Sequence, residues 1–167
     1  MVERLVVRRT ATLLAAVLVT AGLTSCSSTK SYCSALKDDQ KQLTRLSKES
    51  AEPGKAGTQA LDDTVAVLAD LRDDAPDDIS GEWDTLVEAL EGLVGAIKDS
   101  GASPSEFAGG QAPDGVTTGQ LKAVQTAATE LQSTRVRQAG ASIEQHARDV
   151  CKVDLGTGGG LGGSLGG

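Results

Sequence analysis

The sequence predicts an all-α protein: a four-helix-bundle-like single domain closed by one disulfide, followed by a disordered glycine-rich tail. Three observations carry this. Apolar residues recur every three or four positions over four long segments, the period of one helix face. Tyr32, Trp83 and Phe107 are the only aromatics, so the core must be built from Leu, Val, Ile and Ala, a composition that suits helices better than strands. Finally, Cys33 and Cys151 stand at the two ends of the helical region.

The first helix is expected from Tyr32 to Ala51, with Cys33, Leu36, Gln40, Leu43, Leu46 and Ser47 on one face and Lys37, Asp38, Lys41, Arg45 and Lys48 elsewhere. Pro53-Gly54 ends it. A second helix from Thr58 to Asp74 aligns Leu61, Val65, Leu68 and Leu71 before Ala75-Pro76 breaks it. The third, Asp77 to Asp99, carries the clearest stripe, Ile79, Trp83, Leu86, Leu90, Val94 and Ile97, with Asp77 and Asp78 as caps at its positive N-terminus. Ser100 to Thr117 is rich in Gly, Ser and Pro and reads as a long surface loop with Phe107 as its apolar handle.

Thr118 to Val150 is helical in composition but changes phase. Leu121, Val124, Ala128 and Leu131 form one set; Val136, Ala139, Ile143, Ala147 and Val150 form another, rotated by roughly 60° at ~100° per residue. A kink or break is expected near Ser133-Thr134, and Thr118 to Gln132 either prolongs the fourth helix or caps the bundle. Residues 156–167 are nearly all glycine and cannot bury enough apolar area to offset their chain entropy. The G-x-G-x-x-G and G-x-S-x-G patterns within them neither follow a strand nor open a helix, so they carry no mechanism.

At the N-terminus, Arg4, Arg8 and Arg9 precede an uncharged Leu/Ala/Val-rich run from Ala11 to Leu23, the layout of an export signal. The run is short of the ~20 residues a membrane-spanning helix needs. Leu23-Thr24-Ser25-Cys26 follows, and this tetrad resembles the lipobox of bacterial lipoproteins. The resemblance implies removal of residues 1–25, a covalent diacylglycerol lipid on Cys26 as the one attached group, and residues 26–31 as a polar tether to the domain at 32–155. Two acyl chains anchor stably where one holds only marginally.

With Cys26 committed to lipid, Cys33 and Cys151 remain as a pair in a non-reducing compartment, where an intramolecular disulfide is expected. Two free thiols or a bridge to another chain is the competing reading. A bridge requires Cα atoms within ~7 Å, whereas a helix of 18 residues is ~27 Å long. The number of full-length passes must then be even, which selects four over three or five. Such a bundle puts the termini and the Ala75-Pro76 turn at one end and the long loop at the other.

Removing residues 1–25 takes away three arginines and one glutamate, moving the formal net charge from -7 to -9. A surface this acidic excludes nucleic acid as a partner and is repelled by anionic lipid headgroups, so the acyl anchor, not the surface, is expected to hold the protein at the membrane. His146, the only histidine, reads as a boundary residue rather than a base, because no nucleophile is placed beside it. Asp73, Asp74, Asp77 and Asp78 flank a turn and are weak candidates for a divalent cation, but they lack the D-x-D-x-D-G loop and distal glutamate of a calcium site, so no metal is expected. Trp83 is foremost a core residue, with a groove position contacting an apolar ligand as the functional alternative.

The lipobox, Tyr32-Cys33, the connector from Leu71 to Ile79 leading into Glu82-Trp83-Asp84-Thr85-Leu86, and the terminal Val150-Cys151-Lys152-Val153-Asp154-Leu155 together resemble the small helical lipoproteins of high-GC Gram-positive, actinobacterial-type bacteria. The resemblance implies a helical domain lipid-anchored on the outer face of the cytoplasmic membrane and assigns no residue an activity. The expected function is a non-catalytic interaction module binding an envelope protein or polymer. A carrier of a small apolar ligand near Trp83 is the alternative.

Overall fold

The computed structural model describes residues 25–51, 57–107 and 112–155. Residues 1–24, with Leu23 and Thr24, and residues 156–167 lie outside the described residues, as do the expectations made for them. Helix α1 spans Ser25–Ala51, α2 Thr58–Asp73, α3 Ser80–Ser100, α4 Pro104–Phe107, α5 Thr118–Leu131 and α6 Thr134–His146. A π-helical turn, Ala147–Cys151, ends the last pass. The described residues contain no strand.

Helix α1 begins at Ser25 rather than at Tyr32, so residues 26–31, expected as a tether, are helical. Tyr32 and Leu36 are fully buried and fix the helix in place. Once a helix is nucleated, each added residue gains a backbone hydrogen bond, and no Gly or Pro interrupts Cys26 to Ser31. The N-terminal reach shrinks accordingly, from ~3.5 Å per residue extended to ~1.5 Å in a helix.

Val67, Leu68 and Leu71 are the buried residues of α2. After it the chain turns through Ala75-Pro76, and the Ile79 amide donates to the Pro76 carbonyl at 3.0 Å. This turn corrects the expected start of the third helix. Its N-cap is Ile79, whose side chain is buried, and neither Asp77 nor Asp78 caps the helix with its carboxylate. The Asp77 carbonyl instead accepts from Ser80 Oγ. Helix α3 is the central element, packed against α2, α5 and α6. It ends at Gly101, whose φ of 73° is the left-handed conformation that closes many helices.

The segment expected as a loop is partly ordered. Glu106 in α4 accepts from the amide and hydroxyl of Ser103, which holds its carboxyl below the usual range. Thr117 and Gln120 form a capping box at the start of α5. Gln120 Nε2 also donates to the Asp99 carbonyl at 2.7 Å, pinning the two ends of the segment together. Lys98 at the end of α3 meets Asp62 at the start of α2 at 3.0 Å, marking the same pole.

The break between α5 and α6 falls at Gln132-Ser133, where Ser133 Oγ caps α6 by accepting from the Val136 amide. Helix α5 runs beside the C-terminal half of α3 and α6 beside its N-terminal half. The two are therefore one kinked fourth pass, and Thr118 to Gln132 prolongs that pass rather than capping the bundle.

Cys33 and Cys151 are joined, with Cα atoms 5.0 Å apart. The π turn is what brings Cys151 round. By closing on i→i+5 it adds roughly one residue to the turn, so Cys151 takes the core-facing position that Val150 would hold in an unbroken α-helix. Val150, expected on the core face, is correspondingly 47% exposed. Lys152 then adopts a left-handed conformation, φ 57°, and the Val153 amide returns to the Ala147 carbonyl at 2.9 Å. That reversal buries Val153 and lets Gln40 of α1 donate to the Asp154 carbonyl.

The bridge closes a loop with a sequence separation of 118. Replacing both Cys33 and Cys151 by Ser is expected to cost about 2–5 kcal/mol of unfolding free energy. Chemical denaturation of the double variant, compared with the oxidised parent, reads this directly.

Candidate functional site

Tyr32, Trp83, His146 and Asp78 form a connected set at one end of the bundle. Trp83, 1% exposed, sits on the inner face of α3 because Ile79, Trp83, Leu86 and Val87 share the helical period. A buried indole needs an acceptor, and its Nε1 donates to Tyr32 Oη of α1 at 3.1 Å. The Trp83 and Tyr32 rings meet edge to face, centroids 6.3 Å apart, and Tyr32 makes a similar contact with His146 of α6 at 5.8 Å. His146 is only 9% exposed; its Nε2 lies 3.6 Å from Asp78 Oδ2, while its Nδ1 is buried without a protein partner. Four segments of the fold thus converge at the pole that holds the disulfide.

Burial raises the Tyr32 phenol above its ordinary value; the hydrogen bond from Trp83 opposes this and the nearby Asp78 carboxylate adds to it. The arrangement stabilises a neutral phenol that accepts from an indole, and it ties α1 to α3 by a hydrogen bond and to α6 by an edge-to-face ring contact.

Trp83 takes the core position expected of it, not the alternative groove position. The indole faces the core, its N–H is satisfied, and it lines none of the four surface hollows described below. The aspartates do not converge either. Asp73 accepts from the Arg72 guanidinium, and Asp78 faces His146. Among the described residues no group of three or more His, Cys, Asp or Glu side chains could hold a metal ion. Ser25 and Cys26 occupy the start of α1.

Four hollows stand out among the described residues. An open groove of about 810 Å³ between α3 and α5 is floored by Gly92, Gly95, Ala96, Ala123 and Ala127. A second, about 600 Å³, runs between α3 and α6 beside Gly81, Thr85 and Gln138. A more enclosed apolar hollow of about 120 Å³ is bounded by Leu68, Leu86, Leu90, Leu131, Val136 and Gly140. The fourth, about 520 Å³, surrounds the disulfide and is lined by Thr29, Lys30, Cys33, Lys37, Val150, Cys151 and Lys152. No described helix is long and apolar enough to cross a membrane.

Compared with known protein families, with curated proteins and with solved structures, the chain matches none of them.

Sequence reasoning missed the Tyr32–Trp83 bond and the Asp78–His146 pair. The first had a signal, since the sole tryptophan of an all-α core requires an acceptor and Tyr32 lies at the same pole in a four-pass topology. The second depends on the exact exit of the Pro76 turn, which no periodicity encodes.

Tyr32→Phe leaves the buried indole N–H without its acceptor and is expected to cost about 1–3 kcal/mol. It also changes the alkaline limb of the stability curve. Because the folded phenol value lies above the unfolded one, its contribution is complete below about pH 10 and is lost as pH rises through the folded value. Denaturation midpoints across that range should fall more steeply for the parent than for Tyr32→Phe. A second measurement concerns the α3–α5 groove, where a Cβ added at Gly92 or Gly95 meets nothing within 4 Å. Gly92→Ala and Gly95→Ala should each raise stability by about 1 kcal/mol, read as an increased denaturation midpoint.

Proposed function

We propose that the chain is a lipid-anchored, extracytoplasmic and non-catalytic interaction module of the cell envelope, tethered through diacylglycerol on Cys26. The observation that carries the reading is the Cys33–Cys151 bridge, because a covalent tie between the first and last passes belongs to non-reducing compartments. It agrees with the leader and with the lipobox-like Leu23-Thr24-Ser25-Cys26. The interaction surface lies at the opposite pole. There the α3–α5 groove, open over two helical glycines that the packing does not require, runs up to the segment between Gly101 and Thr117. An envelope protein or polymer is the partner class for such a face.

Intact mass of protein extracted from membranes should show an added diacylglycerol on a chain beginning at Cys26, with the loss of two hydrogens for the disulfide. Cys26→Ser should move the protein out of the membrane fraction. Replacing residues 104–115 by a short Gly-Ser linker should abolish its crosslinks in cells while leaving the disulfide and thermal midpoint intact; unchanged crosslinks refute the assigned surface.

A second reading, a carrier of a small apolar ligand, is favoured by the apolar hollow under Gly140 rather than by Trp83. A Cβ at Gly140 meets nothing within 4 Å. Native mass spectrometry of the parent would then show a bound species that Gly140→Leu displaces.

A further inference from the structure

We infer that Lys30, Lys37, Val150 and Lys152, grouped around the Cys33–Cys151 bridge, form a docking surface for anionic phospholipid headgroups that seats the helical domain against its membrane. The inference rests on the lipid anchor proposed for Cys26. Cys26, Lys30, Cys33 and Lys37 recur at i, i+4, i+7 and i+11 along α1, the spacing of a single helix face. The anchored position and two of the lysines therefore lie along the same side of the first turns. Across the bridge, the π turn rotates Val150 outward and the left-handed Lys152 follows it, completing the hollow of about 520 Å³.

Charge and polarity both point to a headgroup layer. The chain as a whole carries a formal net charge of -7, yet three lysines and no carboxylate line this hollow. The described ion pairs involve none of the three. Lys152 Nζ donates to the Asp149 carbonyl, a neutral acceptor. Val150, at 47% exposure, is the exposed large hydrophobic residue among those described. Lysines with an apolar residue between them match phosphate groups above an acyl boundary. Local attraction of this kind opposes the repulsion that the overall acidity predicts, and it acts within a screening length of roughly 8–10 Å, which the anchor guarantees.

The test is lysine acetylation of the membrane-extracted, full mature protein reconstituted in vesicles, read residue by residue by mass spectrometry, with Lys122 on α5 as internal reference. In phosphatidylglycerol vesicles Lys30, Lys37 and Lys152 should be acetylated severalfold more slowly, relative to Lys122, than in phosphatidylcholine vesicles. The difference should vanish near 1 M salt, where the screening length falls to roughly 3 Å. Equal rates in the two lipids, or protection that ignores salt, overturn the inference. The intact mass of the same sample reports the anchor separately. If it lacks diacylglycerol, the anchor reading fails, and the footprint of the same protein mixed with phosphatidylglycerol vesicles still decides the surface, protection sustaining it and none overturning it.

Discussion

The tie between Cys33 and Cys151 is the constraint on which the remaining architecture depends. With their Cα atoms 5.0 Å apart, the start of the first pass and the end of the last must share a pole. An up-down bundle meets that requirement only with an even number of passes, and the kink at Gln132-Ser133 lets α5 and α6 together serve as the fourth. The core could not impose this parity alone. Apart from Tyr32 and Trp83 it is aliphatic, and aliphatic side chains fill space without fixing a direction.

A second device supplies the missing specificity. Tyr32, Trp83, His146 and Asp78 come from α1, α3, α6 and the Pro76 turn, and their contacts have directions that aliphatic packing lacks. Misregister of α1 against α3 leaves the indole N–H buried without its acceptor, at a cost of about 1–3 kcal/mol. The polar chain and the disulfide sit at the same pole, so the covalent link holds in place the elements whose polar contacts must match.

What the sequence made legible follows from which physical quantities are periodic. The four stripes, the break at Ser133 and the pairing of Cys33 with Cys151 were readable because helix faces repeat and the chain-end geometry leaves few choices. Helix starts were not. Cys26 to Ser31 carries no apolar periodicity to mark it as helix, whereas helix propagation from a buried Tyr32 needs none. Asp77 and Asp78 have the composition of caps, but the turn from Pro76 to Ile79 places the cap position on an apolar residue. The helical stripe marks Trp83 as core, but its hydrogen-bond acceptor, Tyr32, lies 51 positions away and no periodicity links the two.

The end of the fourth pass shows how a local irregularity can serve several requirements together. In a regular α-helix the stripe through Val136, Ala139, Ile143 and Ala147 would continue into Val150 and leave Cys151 off the line of Cys33. One residue inserted by the π turn exchanges the two. The excess residue leaves the Lys152 and Val153 amides to share the Ala147 carbonyl, and the left-handed Lys152 is the reversal that permits it. Val153 then enters the core and the Asp154 carbonyl reaches Gln40. The same geometric step that closes the disulfide therefore determines which apolar side chain faces out beside the lysines. A substitution that restored regular α-helix there would have to break the bridge or bury Val150, and could not do either without altering that face.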